Sequence, residues 1–73
     1  MSELAVDFLE QILRVRVVSD SPIPDNDKGI DNATAFARLH IDEVYGEDGY
    51  LWEFSEAERI DPRKVDVIFY YMD

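Results

Sequence analysis

Seventy-three residues make one domain, and a domain of this size buries only about 60% of the surface its unfolded chain exposes, so the core must be compact. Cysteine is absent, which excludes disulfides and thiolate metal sites; 17 acids against seven bases give a formal net charge of −10, the wrong sign for gripping phosphate backbones or anionic membranes. No apolar run approaches the roughly 20 residues of a membrane span, and MSELAVDFLE places acids where a signal peptide wants bases, so a cytoplasmic protein is expected.

The first predicted element is an amphipathic helix over residues 3–15. Leu4, Ala5, Phe8, Leu9, Ile12 and Leu13 follow the spacing of one apolar stripe, Glu3 opens it, and Glu10 and Arg14 form a favourable pair one turn apart. From Leu13 the text LRVRVV alternates and turns β-branched, which predicts a short strand over about 15–18. Residues 19–31, SDSPIPDNDKGID, hold two prolines, a glycine and five Asp or Asn; they read as a long loop and a candidate for mobility.

Asn32 is the expected N-cap of a second helix ending near Tyr45, with Gly46 as its stop and Ala33, Phe36, Ala37, His40, Ile41 and Val44 on one face. GEDG then turns the chain, and YLWEF (50–54) alternates as a strand; pairing LHIDEVY with YLWEF as a hairpin about Asp48–Gly49 is the competing reading. Ser55 to Glu58, SEAE, has the capping-box pattern of a short helix that Pro62 must end. VDVIFYYM predicts a terminal strand. The expected fold class is α+β: one small domain spanning 1–73, two helices packed on a minimal sheet of two or three strands.

Few residues in this chain fit a catalytic or metal-binding pattern. Calcium loops demand oxygen ligands and a glycine in fixed order, and no register over Asp42–Glu53, Val44–Ser55 or Pro24 onward supplies them. His40 is the lone imidazole, cysteine is absent, and its helical position between Phe36 and Val44 puts it on the apolar face, so a packed histidine is expected in place of a zinc ligand. The serines and Thr34 stand in no nucleophile-elbow or phosphate-loop context. No enzyme, cofactor or metal is expected.

The chain's charge is concentrated in residues 42–61, which hold eight acids and only Arg59 as a base, interleaved with Tyr45, Tyr50, Trp52 and Phe54. Solubility is served as well by dispersed charge, whereas clustered charge steers association with a cationic protein, and Tyr and Trp anchor interfaces. The expected partner-binding residues are Asp42, Glu43, Glu47, Asp48, Tyr50, Trp52, Glu53, Glu56 and Glu58. Their expected partner is a larger protein with a basic surface, with no direct contact to nucleic acid or membrane. Basic surfaces that handle nucleic acid, on RNA polymerases and nucleases, are the natural targets, and small acidic phage proteins that redirect host transcription are the analogous class. Arg14 and Arg16, outside the belt, are expected to meet acids on the same partner. Two alternatives stand beside this reading. DVIFYYMD (66–73) resembles the acidic tyrosine-pair surface of bacteriocin immunity proteins, though at the C-terminus and not in a middle helix, which implies an antitoxin. The other is a structural subunit of an oligomer.

Overall fold

The structure, a computed structural model, describes residues 2–7 and 11–72. Strands β1 (Ser2–Asp7) and β2 (Ile12–Val18) precede the single helix α1 (Asp27–Tyr45). A 3-10 helix (Gly46–Leu51) leads from α1 into β3 (Trp52–Asp61) and β4 (Lys64–Tyr71). All four strands form one antiparallel sheet in the order β1-β2-β4-β3, and α1 covers one of its faces. The class is therefore α+β, with one helix and four strands in place of the expected two helices and two or three strands.

The corrections follow from how apolar residues find burial. The predicted helix over 3–15 is a pair of strands. Leu13, Val15 and Val17 alternate with Arg14 and Arg16, and only a period of two places all three against α1, where each is buried. The expected strand over 15–18 is the second half of β2. The expected packing of Phe8 and Leu9 and the Glu10–Arg14 pair lie outside the described residues. Gln11, at the start of the return, holds φ at 53°, left-handed geometry that costs a residue with a Cβ about 1 kcal/mol.

The predicted loop is shorter than 19–31, because α1 starts at Asp27 and not after Asn32. Asn26 caps it, its side-chain oxygen accepting from the Gly29 amide at 2.9 Å, and Asp27 favours the positive end of the helix dipole. Gly29, which reads as a loop residue, is buried inside the first turns: an added Cβ would lie 2.0 Å from the Pro24 carbonyl oxygen. The loop is tied down. The Ile23 amide donates to Pro62 O at 2.7 Å, and the Arg59 guanidinium donates to the Ile23 carbonyl. At its far end α1 stops as expected. Gly46 takes φ +60° and its amide closes on Asp42 O.

SEAE is strand, not helix. Residues 52–61 form the edge strand β3 along β4, with register shifts between Phe54 and Glu56 and between Arg59 and Asp61. A capping box is worth about 1 kcal/mol, less than a ten-residue ladder beside an apolar partner strand supplies. The Asp48–Gly49 pair lies in the 3-10 helix and joins no hairpin. The terminal strand forms where expected.

The core is Leu13, Val15 and Val17 from β2; Ala33, Ala37 and Ile41 from α1; Trp52 from β3; and Val65, Val67 and Phe69 from β4. Alanines at 33 and 37 let the helix lie close to the sheet. Phe36 and Val44, expected on the buried face, are more than half exposed. Trp52 closes one end, its ring 5.7 Å from Tyr45 and 5.2 Å from Tyr71. Strand alternation sends Tyr70 to the face away from α1, so the two tyrosines share no surface.

On that open face Asp66 is 3% exposed, an unusual place for a carboxylate. Arg16 holds it with two hydrogen bonds, Nε at 2.8 Å and a terminal nitrogen at 3.1 Å, and Arg14 Nε stands 3.9 Å away. The fork geometry of guanidinium on carboxylate meets both oxygens at once. Arg16 is thus engaged within the chain, while Arg14 remains largely exposed.

Candidate protein-docking surface

The acidic belt is continuous in sequence and divided in space. Glu58 and Glu56 stand opposite Asp66 and Ile68 on the sheet face away from α1, whereas Glu53, opposite Tyr70 with the same parity, lies at the strand's edge and also lines the groove toward α1. Asp42 lies on the helix side. The 3-10 helix folds back on it, with buried Gly49 so close that a Cβ there would sit 2.6 Å from Asp42 Oδ1. Glu47, Asp48 and Tyr50 belong to this knob and are exposed, Tyr50 at 69%. Trp52 is 7% exposed and belongs to the core.

Helix geometry sorts the remainder. Arg38 marks the flank of α1 above β3, because its guanidinium donates to the Trp52 carbonyl and lies over the Phe69 ring at 5.8 Å. Asp31, Thr34 and Asp42 share that flank at steps of three and four residues from Arg38, whereas Glu43 falls on the flank toward β1. Five of the nine expected residues therefore gather along the β3 side or can be reached from it: Asp42, Glu47, Asp48, Tyr50 and the edge residue Glu53. Glu43, Trp52, Glu56 and Glu58 do not.

Between that flank and β3 runs a shallow groove of about 420 Å³, lined by Asp31, Thr34, Arg38, Glu53, Phe54 and Phe69. Phe54 is half exposed and stacks edge-on against Phe69 at 6.3 Å. Its floor is aromatic and its rim is carboxylate. Of these six, Glu53 alone is among the residues expected from the sequence. Asp31 falls in the predicted loop and sits on the helix because Asn26 caps it earlier; the exposure of Phe54 comes from its place on an edge strand, which residue order does not reveal.

The bases near the groove offset only part of its charge, because Arg38 pairs with Asp42 and, among the described residues, its other carboxylates stay unpaired. Arg38 is spent on the Trp52 carbonyl and stands 4.0 Å from Asp42, and Arg59, the belt's one base, points its hydrogen bonds at Ile23 and Pro62. Asp61 accepts from the Arg63 amide at 2.7 Å and lies 3.9 Å from Lys64, so it serves the β3–β4 turn. Among the described residues, Glu47, Asp48, Glu53, Glu56 and Glu58 make no ion pair. Uncompensated carboxylates project a field that steers a cationic partner at low ionic strength.

Nothing in the arrangement gathers ligands for a metal. Among the described residues, no three His, Asp or Glu side chains come together at coordinating distance, and His40 is half-buried on the β1 flank of α1. No described helix is long and apolar enough to cross a membrane. No family model, curated protein or solved structure matches the chain.

Proposed function

We propose that this chain is a small acidic binding protein that docks on a basic surface of a larger nucleic-acid-handling protein, such as an RNA polymerase or a nuclease, as phage proteins do when they redirect a host. The observation that carries the reading is the groove beside β3, where half-exposed Phe54 lies between Asp31 and Glu53, with Asp42 paired to Arg38 and exposed Glu47, Asp48 and Tyr50 on the 3-10 helix that follows α1. Aromatic groups supply the apolar contact area, and the carboxylates stand where phosphates of a nucleic acid would otherwise meet the partner's Lys and Arg. The chain then acts by occupancy, competing with nucleic acid for one surface. It works as an inhibitor or regulator, with no chemistry of its own.

The test is capture from a bacterial lysate followed by binding measurements on the captured protein. One variant carries Glu47→Gln, Asp48→Asn and Glu53→Gln; another carries Glu56→Gln and Glu58→Gln on the opposite face. The first is expected to weaken binding at least tenfold, the second less than threefold, and duplex DNA is expected to displace the wild-type chain. Equal losses from both variants, or binding indifferent to salt between about 50 and 300 mM, would refute this surface.

A further inference from the structure

The two edges of the sheet are built differently. β3 is interrupted by two register shifts and carries a carboxylate at almost every second position, both of which obstruct pairing with another strand. β1, the other edge, carries Glu3 and Asp7 but pairs with β2 over six consecutive residues without a shift and contains no Pro, Gly or Lys. Its outer row of backbone donors and acceptors has no strand beside it among the described residues.

The flank of α1 on that same side carries an exposed apolar cluster beside Glu43. Phe36 is 62% exposed and Leu39 59%, with half-buried His40 between them and exposed Val44 one turn on. Beneath this flank Leu4 packs against the core from β1. An unpaired strand edge and an exposed apolar flank thus lie side by side.

We propose that a second copy of this chain covers both through a two-fold axis beside β1. Antiparallel pairing of β1 with its own copy makes one eight-stranded sheet with both helices on the same face. The same rotation brings Phe36 and Leu39 of one protomer to face those of its partner above the joined strands. Parity and charge select the register. Opposed residues must share a face, so the pairing centres on Leu4 or on Ala5. Centring on Ala5 sets Glu3 opposite Asp7; centring on Leu4 sets Leu4 opposite itself and Glu3 opposite Ala5.

The area is close to what a specific pair needs. Phe36, Leu39 and Val44 leave about 300 Å² of apolar side chain exposed per protomer, judged from ordinary side-chain areas. With the strand edge, the total over two protomers comes near the roughly 1,000 Å² at which specific interfaces begin. Two chains of net charge −10 also repel. Added salt screens that repulsion, so the dimer strengthens as salt rises, opposite in sign to docking on a basic partner.

Analytical ultracentrifugation of the full chain from about 10 µM to 1 mM, at about 20 and 300 mM salt, tests this directly. The expected result is a monomer–dimer equilibrium at least fivefold tighter at high salt. Phe36→Ser with Leu39→Ser should weaken it at least tenfold while leaving the thermal unfolding midpoint of the dilute monomer in place. Amide exchange supplies a second readout: protection in β1 should grow with protein concentration. A chain that stays monomeric at 1 mM in high salt overturns the proposal, as does a dimer whose β1 amides exchange at the monomer's rate or which survives the double substitution.

Discussion

Gly29→Ala sets two effects of opposite sign against each other in one helix. Propensity favours the substitution, since Ala exceeds Gly by about 0.8–1 kcal/mol in a helix interior. Space opposes it. The new methyl would stand 2.0 Å from the Pro24 carbonyl oxygen and 2.9 Å from its carbon, and both are backbone atoms. Relief requires moving the 22–25 segment, but the Ile23 amide is bonded to Pro62 O and the Arg59 guanidinium to the Ile23 carbonyl. Forcing a methyl into such a site costs about 1–3 kcal/mol, and one hydrogen bond lost in the shift adds about 1. The net expectation is a destabilisation of about 2 kcal/mol. With a urea dependence of about 1 kcal/mol per molar for a chain this short, the unfolding midpoint should fall by about 2 M. Ala35→Gly, on the exposed face of the same helix, isolates propensity and should cost about 1 kcal/mol. A Gly29→Ala protein as stable as wild type or more so would refute the close approach of Pro24 to the helix.

The remaining predictions concern the sheet and its ends. Asp66→Ala leaves Arg16 without its two-oxygen acceptor and should cost about 1–3 kcal/mol in urea unfolding, the lower end because Arg16 is one-third exposed; Arg14→Ala should cost under about 0.5. Gln11→Gly removes the penalty of a Cβ at φ 53° and should raise the unfolding midpoint by about 0.5–1 kcal/mol equivalent. Trp52→Ala empties the end of the core beside Tyr45 and Tyr71 and should cost about 3–5 kcal/mol, read by far-ultraviolet circular dichroism because the chain has no other tryptophan.

The C-terminal half of α1 was legible because two independent signals agree there: Ala33, Ala37 and Ile41 recur at helical spacing, and Gly46 supplies the left-handed stop. β4 was legible from its β-branched and aromatic run. The N-terminal third was not, because Leu4, Ala5, Ile12 and Leu13 satisfy a helical stripe as well as two strands do, and the thirteen residues 3–15 hold too few repeats to separate the periods. What decides is the row Leu13, Val15, Val17, which has somewhere to go only if a helix lies over it. Gly29 misled for a related reason. Its role is to let Pro24 approach, a contact between segments that local composition cannot announce. SEAE carried a real capping signature that a neighbouring strand overrode.

Part of the acidic belt was legible, and its division follows from one rule. A helix keeps i and i+4 together, whereas a strand separates i from i+1, so carboxylates drawn evenly through 42–61 must part company once the chain passes from α1 to β3. Asp31 and Glu53 line the groove with Phe54, Asp42 pairs with Arg38 beside it, and Glu47 and Asp48 stand exposed with Tyr50 on the 3-10 helix; Glu56 and Glu58 join Asp66, Arg14 and Arg16 on the reverse. The reverse face therefore carries both signs of charge close together, and its field falls off faster with distance than that of the groove. Long-range attraction of a cationic partner is expected to originate on the β3 side of the helix, where Asp31, Asp42 and Glu53 outnumber Arg38. For the same reason, net charge alone does not locate the docking surface. Two variants that remove equal numbers of carboxylates should differ in association rate according to the face they come from.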